Sequence, residues 1–68
     1  MMELTQEEKI GMTNNAIKSL LQQRFQTELD KRINAGNIQV EQGCDIKIQQ
    51  LDRGIAELES KLTELEIV

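Results

Sequence analysis

The sequence predicts an all-α fold, an antiparallel two-helix hairpin that assembles into an oligomeric helical bundle. Three observations support this: a heptad repeat in the second half of the chain, a wide apolar arc in the first half, and one short turn between them. The 68 residues have room for one helical-hairpin domain over residues 1–68. Because so short a chain buries a small fraction of its surface, it usually needs a staple or a partner.

The second helix, predicted at about residues 38–66, carries the strongest pattern in the chain. Between Cys44 and Leu65, apolar side chains recur in alternating steps of four and three. This period of about 3.5 residues keeps one seam of a helix against a partner helix. The a positions are Ile48, Ile55 and Leu62, and the d positions are Cys44, Leu51, Leu58 and Leu65. We expect this seam to lie in the core or in an oligomer interface.

The first long helix, predicted at about residues 13–34, has a wide apolar surface. Its apolar residues are Ile17, Leu20, Leu21, Phe25, Leu29 and Ile33. Together they span roughly 220° of an α-helix, more than the ~100° stripe that one neighbour covers. Such a helix needs contacts on two sides, one with its hairpin partner and one with a neighbouring subunit. We assign four of these residues to the core or oligomer interface: Ile17, Leu21, Phe25 and Leu29.

The start of the first helix is open to two arrangements. Residues 5–8, Thr-Gln-Glu-Glu, match a capping box, in which the Thr and the last Glu each bond the other's backbone N–H. The box begins either a short separate helix that ends near Gly11 or one continuous helix. Thr and Asn compete for backbone hydrogen bonds and favour caps over helix interiors, so we place the start of the long helix near Thr13.

Residues 34–37, Asn-Ala-Gly-Asn, are the only clear turn signal in the sequence. Gly36 can take the positive φ of a helix C-cap. A connection this short makes two long helices antiparallel neighbours. Gly54, at a g position of the second helix, is compatible with a close helix approach or with simple tolerance of glycine, and we favour tolerance.

Charge and cysteine content narrow the functional classes. The formal charge of −4 comes from residues 41–68, which hold seven acidic and three basic residues. Long nucleic acid needs clustered positive charge, so we expect no such partner, whereas a small phosphorylated ligand needs only a few converging bases. One cysteine and no histidine give no internal disulfide and no zinc site. We interpret Cys44 as a small buried d residue.

We expect a cytoplasmic protein with no membrane partner. No basic start followed by an apolar stretch marks a secretory signal. Apolar runs are no longer than two residues, which is too short to cross a bilayer. A lone cysteine suits a reducing compartment.

Enzymatic activity is not expected. Without an imidazole, Cys44, Ser19 and Ser60 have no base beside them for nucleophilic catalysis. A ferritin-like metal site needs an inward Glu paired with a His, and the glycines are too far apart for a phosphate-binding loop. We therefore predict no catalytic residue, no metal site and no cofactor.

The remaining candidate for function is the segment of residues 9–18, which combines two cations, two amides, a hydroxyl and a glycine. A helix N-terminus offers free N–H groups and partial positive charge to an anion, while an Asn amide can bond the edge of a base. The candidate ligand-binding residues here are Lys9, Gly11, Met12, Thr13, Asn14, Asn15 and Lys18. The alternative interpretation is a capped helix start with solvated lysines.

This segment also resembles a known family. Glu-Glu-Lys-Ile-Gly at residues 7–11 and Asn-Ala-Ile-Lys at residues 15–18, followed by a long helix, a turn and a heptad helix, are similar to the phage cyclic-nucleotide sponges that counter CBASS and Thoeris immunity. The resemblance implies a hexamer of hairpins that binds cyclic di- or trinucleotides between subunits without cleaving them. It implies ligand contacts from Lys18 and a nearby Asn, and a second inter-subunit phosphate site at Arg53.

The chain departs from that family in two ways. It has one extra residue between Gly11 and Ala16, and it has no Tyr or Trp near the N-terminus to stack on a base. Met12 is the apolar platform available in place of the ring.

We therefore predict a non-enzymatic phage anti-defence protein that sequesters cyclic oligonucleotide immune signals at subunit interfaces in the infected bacterial host. Its partners would be further copies of the chain, with a hexamer favoured, and the nucleotide. The alternative is a structural or adaptor coiled-coil protein that docks on another helical protein. Lys18 separates the two hypotheses, because an adaptor would tolerate Lys18→Ala.

Overall fold

A computed structural model describes residues 3–67, which form two long helices joined by a tight turn. Helix α1 spans Gln6–Ile33, and helix α2 spans Ile38–Ile67. The helices pack side by side in a rod of 52 × 17 × 17 Å. The predicted all-α hairpin is confirmed for the part of the chain described here.

Helix α1 begins at Gln6, so the predicted start near Thr13 is wrong and the continuous helix is the correct alternative. The Thr5 hydroxyl accepts from the Glu8 backbone N–H, and the Glu8 carboxylate accepts from the Thr5 N–H, both at 3.1 Å. These bonds satisfy two donors that a helix start leaves free, and the bond from the Thr5 backbone N–H holds the pKa of the Glu8 carboxyl below its ordinary value. The Thr13 hydroxyl donates to the Lys9 carbonyl at 2.7 Å, which keeps a threonine inside a helix.

The turn lies at residues 34–37, between the end of α1 and the start of α2. Gly36 has a φ of 96°, the left-handed region that favours glycine. Asn37 caps α2, since its side-chain oxygen accepts from the Val40 backbone N–H at 3.3 Å. The four residues therefore reverse the chain and satisfy the helix ends on both sides.

The inward face of α2 is the predicted heptad seam. Leu51 and Ile55 are buried, each 8% exposed. The other seam residues are half-buried: Cys44, Ile48, Leu58, Leu62 and Leu65. Every a and d position from residue 44 to residue 65 thus faces α1.

The inward face of α1 follows a second heptad pattern, which the apolar residues alone do not reveal. All of its members are buried or half-buried: Ile10, Thr13, Ile17, Leu20, Arg24, Thr27, Lys31 and Asn34. The positions nearer the N-terminus are mostly apolar, whereas the four nearer the turn are polar. The seam therefore has an apolar half, from Ile10 to Leu20 on α1, and a polar half, from Arg24 to Asn34.

Leu21 and Phe25, predicted as core or interface residues, are not part of the hairpin core. They are 50% and 61% exposed, while Ile17 lies in the seam and Leu29 is half-buried. On an α-helix each step of four residues advances the surface position by roughly 40°. Steps of four from Ile17 therefore leave the seam, which advances by alternating steps of four and three.

Gly54 marks a close approach of the two helices, so its interpretation as a merely tolerated glycine is wrong. A Cβ atom added at Gly54 would lie 3.3 Å from Leu20 Cδ1, closer than the optimal separation of about 3.5–4.0 Å between carbon atoms. A Cβ added at Gly43 would meet no atom within 4 Å. The absence of a side chain thus matters for packing at Gly54 but not at Gly43.

Two ion pairs join the helices across the polar half of the seam. Arg24 Nε donates to Asp52 Oδ1 at 2.6 Å, and Lys31 Nζ donates to Asp45 Oδ1 at 2.7 Å. The bond to Asp52 raises the pKa of the Arg24 guanidinium, and the bond to Asp45 raises the pKa of the Lys31 ammonium group. Arg24 also pairs with Glu28 one turn along α1. These contacts fix the antiparallel register near the turn.

Candidate functional site

The segment of residues 9–18 lies inside α1 rather than at its start. The free N–H groups of a helix belong to its first turn, which here begins at Gln6 and carries Glu7 and Glu8. Backbone N–H groups near Asn14 are therefore not available to an anion. Any ligand contacts made by this segment must therefore come from its side chains and not from the N–H groups of a helix N-terminus.

The helix separates the predicted ligand residues into two groups. Lys9, Met12 and Thr13 line a groove beside the open end of the hairpin. The others do not line it, and all of them are exposed: Gly11, Asn14, Asn15, Lys18 and Arg53. The structure thus brings together three of the predicted residues.

The groove, hereafter the open-end groove, combines cations with apolar surface. It has a volume of about 340 Å³ and is lined by Leu4, Lys9, Met12, Thr13, Lys61 and Leu65. One lysine comes from α1 and the other from α2. Three of the six lining residues are aliphatic or thioether side chains, so the groove offers two ammonium groups beside an apolar wall.

Two contacts shape the open-end groove. The Gln6 side chain donates to the Leu65 carbonyl, which ties the start of α1 to the last turns of α2. Lys61 pairs with Glu64 at 3.7 Å, with both side chains more than half exposed. An exposed pair of this kind contributes little to stability. Lys61 can therefore exchange Glu64 for a better anionic partner at small cost.

Sequence reasoning missed Leu4, Lys61 and Leu65 as groove residues. Leu65 was predicted only as a seam residue, and Lys61 was not among the predicted ligand residues. Both come from the other end of the chain, and only the antiparallel register places residues 61–65 beside residues 9–13. One signal in the sequence could have identified Lys61. It precedes the a-position Leu62 by one residue, which places it at the edge of the seam.

A second feature runs along the outside of α1. Gly11, Asn14, Lys18, Leu21 and Phe25 follow one another in steps of three and four, and all five are exposed. We call this set the outer stripe. Residues three and four apart share one face of a helix, so the predicted polar residues and the exposed apolar residues form one continuous surface.

The apolar end of the outer stripe borders a smaller hollow. This hollow has a volume of about 160 Å³ and is lined by Phe25, Glu28, Leu29 and Arg32. Its lining combines an aromatic and an aliphatic side chain with one charge of each sign. Phe25 is the only aromatic residue of the chain, and burying a ring of this kind is worth more than burying any other side chain present.

Within residues 3–67, no group of three or more His, Cys, Asp and Glu side chains is placed to hold a metal ion. Neither α1 nor α2, in the part that the structure describes, contains a stretch long and apolar enough to cross a membrane. No family model, curated protein or solved structure matches this chain.

Proposed function

We propose that the chain is a non-enzymatic binding protein that sequesters cyclic di- or trinucleotides, with the open-end groove holding the ligand. One observation carries this proposal: Lys9 and Lys61 reach the same groove from different helices, beside Met12 and Leu65. A phosphate diester needs cationic donors, and a base needs an apolar surface to lie on. Both are present within one concavity.

The size of the groove explains why assembly matters for binding. Sites for small molecules have volumes of about 300–1,000 Å³, and the open-end groove lies near the lower limit with about 340 Å³. A cyclic dinucleotide fills such a groove and extends beyond it. A neighbouring copy of the chain then covers the exposed part of the ligand, as in the hexamer that the family resemblance implies.

Binding without turnover is consistent with the chemistry of the groove. Its polar groups are two ammonium groups and a hydroxyl that already donates to the Lys9 carbonyl. Ammonium groups attract phosphate oxygens, and neither a nucleophile with a base beside it nor a carboxylate pair lines the groove. The ligand is therefore held intact, which is sufficient to lower its free concentration.

Isothermal titration calorimetry with cyclic dinucleotides and cyclic trinucleotides tests the proposal. Lys9→Ala and Lys61→Ala should each weaken binding by about tenfold or more, since each removes a charge-assisted hydrogen bond. Lys47→Ala, an exposed lysine of α2 outside the groove, is the matched control and should leave affinity unchanged. Native mass spectrometry of protein from cells that produce cyclic nucleotides should show retained ligand and reveal the subunit number.

Lys18→Ala distinguishes two locations for the ligand. If it abolishes binding while Lys9→Ala and Lys61→Ala do not, the ligand lies on the outer stripe and the groove assignment is wrong. If the wild-type protein binds no cyclic nucleotide, the sequestration function is wrong. In that case the exposed Leu21 and Phe25 favour the second candidate, an adaptor whose helical surface docks on another helical protein.

A further inference from the structure

The outer stripe is a surface that the hairpin itself leaves uncovered. Leu21 and Phe25 are 50% and 61% exposed, although they are among the most apolar side chains of α1. The chain exposes 5,537 Å² in total. A compact monomer of its mass exposes roughly 4,400 Å², so the hairpin exposes roughly 1,100 Å² more than such a monomer. This excess is larger than the surface of about 800 Å² that one partner buries in a standard interface.

We propose that the outer stripe is a self-docking surface, on which a second copy of the chain packs its own outer stripe in the antiparallel direction about a twofold axis. The contact is independent of any nucleotide. A hexamer would need a second, different contact in addition.

The sequence of the stripe is self-complementary in this register. With the twofold axis at residue 23, Leu21 of one copy lies opposite Phe25 of the other. Lys18 then lies opposite Glu28 of the second copy, and the symmetry repeats the pair, as in any isologous contact. Opposite charges therefore flank the two central Leu21–Phe25 pairs on both sides. A parallel arrangement would instead place each residue opposite its own copy and bring like charges together.

The small hollow beside the stripe fits the same register. Phe25, Glu28, Leu29 and Arg32 line it, and the symmetry places the second copy's Leu21 against Phe25. A side chain that enters a hole formed by residues of the facing helix is the packing unit of helical assemblies. Lys18 of the second copy then reaches Glu28, whose side chain is 43% exposed.

Sedimentation velocity over a range of protein concentrations, in buffer without nucleotide, tests the contact by charge exchange. Lys18→Glu and Glu28→Lys should each raise the dissociation constant about tenfold, since the twofold contact loses two pairs at once and gains like-charge repulsion. The double variant Lys18→Glu/Glu28→Lys should restore wild-type association. Restoration is specific to the register, because the double variant has the same composition as the wild type.

Two controls separate the contact from other effects. Lys47→Glu makes the same change in net charge on α2, away from the stripe, and should leave association unchanged. Helicity by circular dichroism should be the same for all variants, since the substituted side chains are exposed. Glu28 also pairs with Arg24, so Lys18→Glu is the cleaner of the single variants.

Three results would overturn the inference. The first is a wild-type protein that sediments as a single copy at every concentration. The second is a Lys18→Glu protein that associates as tightly as the wild type. The third is a double variant that remains as weakly associated as either single variant. None of these results depends on ligand binding, so the contact and the proposed function can fail separately.

Discussion

The two halves of the hairpin seam are held together by different interactions. In the apolar half, α1 presents Ile17 and Leu20, and Leu20 lies beside Gly54, next to Ile55 at 8% exposure. In the polar half, Leu51 and Thr27 are also buried, but α1 presents mainly polar side chains, and the contacts of Arg24 and Lys31 with α2 are ion pairs. Burial of apolar surface contributes about 25 cal/mol per Å², whereas exposed ion pairs contribute little and are screened by salt. We infer that the end of the hairpin far from the turn supplies most of its stability.

The polar half needs less stabilisation, because the turn connects the two helices at that end. The turn joins the helices there, so bringing residues 31 and 45 together closes a short loop and costs little entropy. The apolar half must hold together residues such as Gln6 and Leu65, which are far apart in sequence. The stronger apolar contacts therefore lie far from the turn, where the helices are joined least directly. The weaker ion pairs lie near the turn, which already holds the helices close together.

Truncation of one isoleucine in each half gives the largest expected difference. Ile55→Ala should lower the free energy of unfolding by about 2–5 kcal/mol, the usual cost for a buried isoleucine. Ile48→Ala, the same change at a half-buried position in the polar half, should cost clearly less. Urea denaturation followed by circular dichroism at one fixed protein concentration measures both, since assembly makes stability concentration-dependent. Equal losses would show that the two halves do not differ as described.

Substitution of a glycine in each half gives a smaller effect, with a predicted difference between sites. Gly→Ala in a helix interior gains up to about 1 kcal/mol from propensity. Gly43→Ala should show this gain, because its Cβ meets no atom within 4 Å. At Gly54 the new methyl group meets Leu20, so Gly54→Ala should gain less or lose stability.

Thermal unfolding of the two glycine variants, alongside the wild type, measures this difference. If Gly54→Ala stabilises the hairpin as much as Gly43→Ala does, then Leu20 moves aside freely and the helices are not tightly packed at that point. A smaller gain at Gly54 would confirm that the two helices pack closely where Gly54 meets Leu20.

The fold could be predicted from α2 but only partly from α1. Every a and d position of α2 from Cys44 to Leu65 is apolar or a small thiol, so hydrophobic periodicity identifies its seam. On α1, Arg24 and Lys31 occupy seam positions. Hydrophobic periodicity there follows steps of four from Ile17 instead, and these steps pass through Phe25, which is why Phe25 was predicted as a core or interface residue.

The start of α1 and the residues of the open-end groove could not be predicted from local sequence, for two different reasons. The preference of Asn and Thr for caps is a local effect, and once a capping box has nucleated a helix, propagation through such residues costs little. The groove depends on which residues of α2 lie beside Lys9. That follows from the register of the hairpin, which the Gln6–Leu65 and Lys31–Asp45 contacts establish.

The smallest expected effect concerns the ion pairs of the polar half. Asp52→Asn removes the carboxylate that bonds Arg24 while keeping a side chain of similar size. Both members of this pair are substantially exposed, so the loss of stability should be smaller than for Ile48→Ala. It should also shrink in about 1 M salt, where the screening length falls to about 3 Å. The loss caused by Ile55→Ala has no such origin and should persist in the same salt. Urea denaturation of both variants at low and high salt measures these effects. If Asp52→Asn lowers the free energy of unfolding by a large amount, or by the same amount at both salt concentrations, the polar half is held by something other than exposed charge pairs.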